Sequence, residues 1–347
     1  MPSLAETKPV RSVTSYDVAI LAGVSQSAVS RVFKTGASAS SEMHKRVRRA
    51  AKQLGYTPNG IARSLITRRS NSVAVLISSL TNLYYPEVLA EISLRLQQRG
   101  LHVLLFNLPH ESDVDAVLDS VFGHRVDGVI AAARLSEQQL ALFGKRQIPV
   151  VFYNRYLRDI PANAVCCDQF EGAALLAQRL HDAGHRSFGI LAGPADSVVG
   201  EERVRGAQDR LASLGVKDVH LAPGDFDYES GFKGVLTIHK KAKRMPTALL
   251  AANDVNAIGA IDAARSELGL KVPGDLSVVG FDGVGPSRWK SYQLTTFRQP
   301  VEQMAEAAVA LLLSCIDDPT RPPEKRLFAG TLIEGGSARL TAKGSHR

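Results

Sequence analysis

Between Val13 and Leu54 the apolar positions fall at helical spacing in three short blocks. Val18, Leu21 and Ala22 stand at i, i+3, i+4; Val29, Val32 and Phe33 repeat the inward spacing; Val47, Ala50, Ala51 and Leu54 extend it to i+7. Capping residues separate the blocks. Thr14 can cap the first helix with Asp17 as a capping-box acid, Gly23 can take the left-handed turn that ends it, and Ser25 can cap the second. The third begins near Ser41 and stops at Gly55. Two short amphipathic helices joined by Gly23-Val24-Ser25 predict a helix-turn-helix, with Gln26, Ser27, Ser30 and Arg31 facing out. From Asn71 the pattern changes to β-rich runs alternating with helix-length segments. The runs are Val73 to Ile77, His102 to Phe106, Gly128 to Ala131, Pro149 to Tyr153, Phe188 to Ala192, Thr247 to Ala251 and Leu276 to Phe281. Strand and helix in alternation predict parallel sheets covered by helices, and roughly 270 residues of it suit two sheets better than one.

Charge sharpens the division. Residues 1–69 hold 12 of the 42 Lys and Arg but 3 of the 34 Asp and Glu, so the chain's whole basic excess lies in its first fifth. That excludes a uniformly basic surface and points to a small polyanion-binding head on a nearly neutral body. Lys45, Arg46, Arg48, Arg49 and Lys52 share the outer face of the third helix. A charge run is often just a solvated face, but beside a helix-turn-helix and without acidic balance, phosphate contact is favoured.

Other chemistry is sparse. Cys166 and Cys167 are adjacent and a third cysteine stands alone, which suits small core residues better than a disulfide framework, a zinc site or a redox sensor. The nine histidines show no metal spacing, so neither metal nor cofactor is expected. No apolar run nears the ~18 residues of a membrane span, and the start lacks the apolar core of a secretory signal. The expected location is the cytoplasm, in association with the nucleoid.

The third helix leads into Tyr56-Thr57-Pro58-Asn59-Gly60-Ile61-Ala62-Arg63-Ser64-Leu65-Ile66. Together with Val13-Thr14-Ser15-Tyr16-Asp17-Val18-Ala19, Ala22-Gly23-Val24-Ser25 and Val29-Ser30-Arg31-Val32, in register over more than fifty residues, this strongly resembles the LacI/GalR family of transcription regulators. The resemblance implies that Gln26, Ser27 and Ala28 read base edges, that Arg31 reaches a guanine, and that Thr14, Tyr16, Ser25 and Ser30 also meet DNA. It further implies a hinge helix over residues 59–66 in the minor groove, with Asn59, Ala62 and Arg63 on the DNA and Leu65 wedged between base pairs. Pro58 can open such a helix, but about eight residues are too few to hold one in water, so it should order only when two copies pack on DNA. An apolar wedge bends the site; an ordinary core leucine is the plainer alternative for Leu65. Lys34-Thr35 depart from the Asn and Gly usual after the recognition helix.

For the body the resemblance implies the fold of periplasmic sugar-binding proteins, two α/β lobes joined by three crossovers placed near residues 166, 299 and 325. The expected domains are a disordered arm (1–12), the helix-turn-helix (13–57), hinge helix and linker (58–70), an effector-binding and dimerisation domain (71–338) and a short tail (339–347). Lobe 1 comprises about 71–166 and 300–324, lobe 2 about 167–298 and 326–338. Ligands of open α/β sheets sit beyond the carboxyl ends of strands, which makes the interlobe cleft the expected pocket.

Segments at strand ends supply its candidates. Tyr84 and Tyr85, in Asn82-Leu83-Tyr84-Tyr85-Pro86, either stack on the ligand or pack under a helix. Asn154 matches a polar pocket position; Arg155 beside it suits a carboxylate or phosphate on the ligand, or else an interlobe salt bridge. Arg203, in Arg203-Val204-Arg205-Gly206, matches the family's Arg-x-x-Gly and is preferred to Arg205. Phe226 supplies an aromatic floor. Asn253 and Asp282 match hydrogen-bonding positions, and Asp254 reads as a helix cap.

Polar groups with aromatic walls fit a small sugar or sugar acid, with a nucleobase as the main competitor. The chain is therefore expected to be a homodimeric, effector-responsive repressor on a palindromic operator; the short tail leaves no room for a tetramerisation helix. A regulator answering to a protein partner is the other alternative. No phosphate loop, nucleophile elbow or metal cluster supports an enzyme.

Overall fold

The computed structural model describes residues 13–33, 39–57, 69–78, 82–108 and 113–341. It divides into two compact units, residues 1–70 and 71–347. The expected arm, the Lys34-Thr35 turn and the hinge positions Asn59, Ala62, Arg63 and Leu65 lie outside the described residues.

In the first unit α1 (Ser15–Ala22), α2 (Gln26–Val32) and α3 (Ser41–Leu54) enclose one small apolar core. Both the backbone N–H and the hydroxyl of Thr14 donate to Asp17 Oδ2, at 2.8 and 2.7 Å. Gly23 ends α1 at φ 60°, and Ser25 Oγ accepts from the Ala28 N–H at 3.2 Å to start α2. Two sequence expectations fail here. Leu21 is 45% exposed, and the smaller Ala19 takes the inward place with Val18 and Ala22, because α1 turns a narrow alanine face to its neighbours. Ala28 is only 6% exposed; it packs beside Val29 and Val32 and is turned away from the outer face where a base-reading side chain would stand.

The second unit holds two six-stranded sheets. The first, in the order β11-β5-β4-β3-β1-β2, is wholly parallel: β1 (Ser72–Ser78), β2 (His102–Leu108), β3 (Gly128–Ala132), β4 (Val150–Tyr153), β5 (Ala164–Cys167) and β11 (Lys325–Phe328). It is accompanied by α4 (Tyr84–Gln98), α5 (Val114–Gly123), α6 (Glu137–Lys145) and α11 (Val301–Asp317). The second, β12-β10-β9-β8-β6-β7, comprises β6 (Ser187–Leu191), β7 (Asp218–Ala222), β8 (Ala248–Ala251), β9 (Ser277–Asp282), β10 (Thr295–Arg298) and β12 (Thr331–Ile333), of which only β12 runs antiparallel to its neighbour. Its helices are α7 (Gln169–Asp182), α8 (Val198–Ser213), α9 (Tyr228–Lys241) and α10 (Asp254–Ser266).

The central strands β3, β4, β8 and β9 are buried along their whole length, as continuous apolar runs flanked on both sides require. The chain crosses between sheets at Asp168, at Gln299-Pro300 and at Ala329-Gly330. The third crossing corrects the expected 325: residues 325–328 pair with β5 in the first sheet, a short edge strand with an alternating burial pattern that apolar runs do not reveal. For the same reason Cys166 and Cys167 stay in lobe 1. Among the described residues no helix is long and apolar enough to cross a membrane, and no cluster of metal-ligating side chains occurs.

Candidate functional site

A narrow cleft, with about 260 Å³ of free space counting the open solvent at its entrance, lies between the lobes at the carboxyl ends of the strands. Lobe 1 contributes Asn82, Tyr84, Tyr85, Asn154 and Arg155; lobe 2 contributes Val199, Arg203, Phe226 and Asp282; Gln299 enters from the second crossing. Seven of the eight residues expected around a ligand thus line one space.

Arg203 occupies its centre. Its Nε donates to Gln169 Oε1 at 2.8 Å, Nη1 to the Ala252 carbonyl at 2.5 Å and Nη2 to Asp282 Oδ1 at 2.9 Å, while its guanidinium carbon lies 3.8 Å over the Phe281 ring. Charge-assisted bonds and a stacked ring fix the fork's plane. Arg205 points elsewhere, over Phe170. Burial pushes the Asp282 carboxyl up, against the opposing pull of Arg203. Asp282 and Asn154 both have positive φ, 113° and 51°. Such backbone conformations in non-glycine residues cluster where surrounding structure must aim a side chain.

In lobe 1 the Asn154 amide donates to Gln299 Oε1 at 2.6 Å and to the Tyr84 hydroxyl at 3.0 Å, while its Oδ1 accepts from the Cys167 N–H at 3.0 Å. Tyr84 and Tyr85 meet edge to face, rings 5.5 Å apart, and are buried. They therefore combine both expected roles, packing under α4 and bordering the cleft. Arg155 is buried and donates to the Asn154 carbonyl at 2.8 Å. The mouth is bridged by Arg134 to Asp196 at 3.3 Å, Arg158 to Glu201, and the Tyr156 hydroxyl to Glu202. Both ion pairs are solvent-exposed and screened, so they contribute little to holding the lobes. Burial pushes the Cys166 and Cys167 thiols up to about 12, which keeps them unreactive.

Asn253 takes the cap expected of Asp254, and neither residue lines the cleft. Asn253 is the cap: its Oδ1 accepts from the Asn256 N–H at 2.8 Å and its Nδ2 donates to the Phe226 carbonyl at 3.1 Å, so it steadies the aromatic wall without lining the cleft. Asp254 is fully buried and accepts from the Val284 N–H at 2.8 Å and the Thr296 hydroxyl at 2.5 Å, holding the loop just after Asp282. Burial and the neighbouring Asp282 push its carboxyl up to about 8. A carboxyl raised on folding binds more protons in the folded state, so its contribution declines as pH rises from about 4 through about 8. Stability by urea unfolding should fall across that window, and Asp254→Asn should flatten the slope; an unchanged slope would mean that Asp254 is ionised throughout.

In the head, Gln26, Ser27 and Arg31 stand on one side of α2 away from the core. Ser27 and Arg31 are exposed; Gln26 is half-buried and donates to Ser15 Oγ at 3.2 Å. Tyr16 and Ser30 are exposed too. Of the expected phosphate-gripping run, Arg46 is otherwise engaged: it donates to the Ala22 and Gly23 carbonyls at 2.6 and 3.0 Å, closing the C-terminal end of α1. Lys45, Arg48, Arg49 and Lys52 remain exposed.

Residues 14–59 match the model of bacterial regulatory proteins of the lacI family, and residues 177–338 that of a periplasmic binding protein-like domain. The HTH-type transcriptional repressor PurR of Actinobacillus pleuropneumoniae serotype 3 (strain JL03) is 33% identical over 87% of this chain and 91% of its own. The chain belongs to the lacI family. Among its lacI-family relatives, the ribose operon repressor of Haemophilus influenzae is 29% identical over 88% of this chain and 92% of its own. The Lac repressor dimer solved on its operator with the anti-inducer ONPF superposes with a TM-score of 0.85 at 29% identity, over 94% of this chain and 99% of that one. This lacI-family chain is accordingly a DNA-binding regulator with an effector-binding domain, and not an enzyme. Three lining residues, Asn82, Val199 and Gln299, escaped as site candidates, and so did Gln169, which stands behind the lining and bonds Asn154 and Arg203; the two glutamines matter most. Both sit at crossings after strands of only four residues, Ala164–Cys167 and Thr295–Arg298. The one available signal was Gln299 standing before Pro300, where a strand must end.

Proposed function

We propose that the protein is a homodimeric repressor of a palindromic operator, switched by a small sugar acid in the interlobe cleft. The observation that carries the effector class is the convergence of two buried guanidinium groups, Arg155 and Arg203, with Asp282 and the aromatic borders Phe226, Tyr84 and Tyr85. A guanidinium pair suits a carboxylate or phosphate, Asp282 suits ring hydroxyls, and aromatic faces suit a ring. The named relatives being repressors, and the Lac repressor being solved as a dimer on operator, support the sign of action and the assembly. Its place of work is then the nucleoid, in the cytoplasm. Gln26, Ser27 and Arg31 read bases, with Thr14, Tyr16, Ser25, Ser30 and the exposed lysines and arginines of α3 on the backbone. The effector acts by binding one interlobe arrangement better than the other, shifting the fraction of chains competent for DNA.

Calorimetry of the full chain against sugar acids, neutral sugars and nucleobases tests the effector. Sugar acids are expected to bind tightest; a nucleobase in first place would replace the sugar-acid reading, and silence across the panel would favour a protein partner. Leu65→Ala tests the hinge expectation. It should weaken binding to a selected operator by about tenfold or more, because without the apolar wedge the unstacked, bent site is no longer held open, and leave nonspecific affinity nearly intact. Equal losses on both DNAs would remove the wedge.

A further inference from the structure

Five cleft side chains close a ring of hydrogen bonds. Arg203 Nε donates to Gln169 Oε1 at 2.8 Å; Gln169 Nε2 donates to Asn154 Oδ1 at 3.2 Å; Asn154 Nδ2 donates to Gln299 Oε1 at 2.6 Å; Gln299 Nε2 donates to Asp282 Oδ1 at 2.7 Å; and Arg203 Nη2 returns to that oxygen at 2.9 Å. Every member is buried. Asn154 belongs to lobe 1 and Arg203 and Asp282 to lobe 2, while Gln299 lies on the second crossing and Gln169 one residue past the first.

We propose that Gln169 and Gln299 are positioning residues through which the two crossings sense the effector site and hold the lobes closed. Neither glutamine needs to touch the effector to act. Each joins a lobe 1 amide to a lobe 2 ion, so the lobes cannot rotate apart without breaking Gln169–Asn154 and one of the two bonds of Gln299, to Asn154 or to Asp282. Three partners at the Gln169 amide and four at that of Gln299 also fix which way each faces: the Gln299 carbonyl must face Asn154 and its N–H₂ must face Asp282, or two acceptors are set against each other. A group that engages Arg203 or Asp282 competes with these same bonds, and the crossings register it. A partly broken buried network is worse than an intact one, which makes the two lobe arrangements discrete.

This inference takes the cleft as the effector site, but its test measures lobe separation with no effector present, so it fails or stands apart from the effector's identity. Cys166, Cys167 and Cys315 are all buried, so spin labels can be directed to Gln138→Cys in lobe 1 and Gln208→Cys in lobe 2 of the full chain, diluted with an excess of unlabelled chain. The parent should show one short interlobe distance. Gln299→Leu should shift the open-to-closed ratio by about tenfold or more, the scale of losing a buried hydrogen bond to a charged group. Gln299→Glu should open the lobes by setting two carboxylates face to face. In the same background Asp282→Asn should close them part of the way again, because it removes one of the opposed carboxylates and offers the other a donor, at the expense of the bond that Arg203 Nη2 makes to the same atom. Parent-like distances in Gln299→Leu and Gln299→Glu would overturn the proposal. So would a double variant as open as Gln299→Glu, since loosened packing alone is not rescued by a swap. Should Gln299→Leu fail to fold, the glutamate and double variants still decide.

Discussion

Arg203→Ala is expected to abolish effector binding in calorimetry and to lower folding stability by about 3–5 kcal/mol, because it strands a buried carboxylate. Asp282 lies in a fully covered site where burial already pushes its carboxyl up, and the guanidinium of Arg203 is the main force drawing it down. Without that cation the acid must take up a proton or draw in water. The Ala252 carbonyl and Gln169 Oε1 lose their donors at the same time. Urea unfolding of Arg203→Ala beside an Arg203→Met/Asp282→Asn variant separates the terms. The double variant removes both charges and should recover much of the stability but none of the binding. Equal stability of the parent and Arg203→Ala would mean that Asp282 is neutral in the folded chain.

Gly206→Ala is expected to have the second largest effect, though residue 206 lies outside the cleft. A Cβ there would sit 2.2 Å from the Phe170 carbonyl oxygen, a backbone atom that cannot swing aside. Helix α8 must then back away from α7, one turn from Arg203 and one residue from Gln169. Overpacking of this kind costs about 1–3 kcal/mol and sometimes more, measurable by urea unfolding. Effector affinity should fall with it, although no ligand contact is deleted. A variant with parent-like stability and affinity would show that the α7–α8 contact sets neither. The spacing in Arg203-Val204-Arg205-Gly206 thereby acquires a physical reason: the glycine brings the helices together so that the arginine, one turn earlier, meets the glutamine.

What the sequence disclosed follows the strength of its local signals. Asn154 and Asp282 were legible because each ends an apolar run, and a polar residue at the end of a buried parallel strand has few places to go but the cleft. Gln169 and Gln299 were not, since β5 and β10 are four residues long and β10, Thr295–Arg298, carries two threonines and an arginine. Arg46 announced a charge, but its partners are backbone carbonyls of another helix, which no side-chain pattern encodes. Ala28 misled for a related reason: on a seven-residue helix a small side chain fits either face, and this one is buried on the side of Val29 and Val32. At Asn253-Asp254 both residues could cap a helix and both are buried; only their partners, the Asn256 N–H for Asn253 and the distant Val284 and Thr296 for Asp254, distinguished cap from clamp.

The eight buried residues of the head's core all come from α1, α2 and α3. Ser27 and Arg31 are exposed and contribute nothing to that core, so they can be replaced without disturbing the packing that presents them, whereas Gln26 also ties α2 to α1 through Ser15. On the proposed roles of these side chains and of the cleft, descendants of such a chain can acquire a new DNA target through a few surface substitutions while the chemical signal they answer to is inherited intact, and the reverse holds for changes confined to the cleft. Rewiring which genes respond to which small molecule then needs no intermediate that has lost its fold.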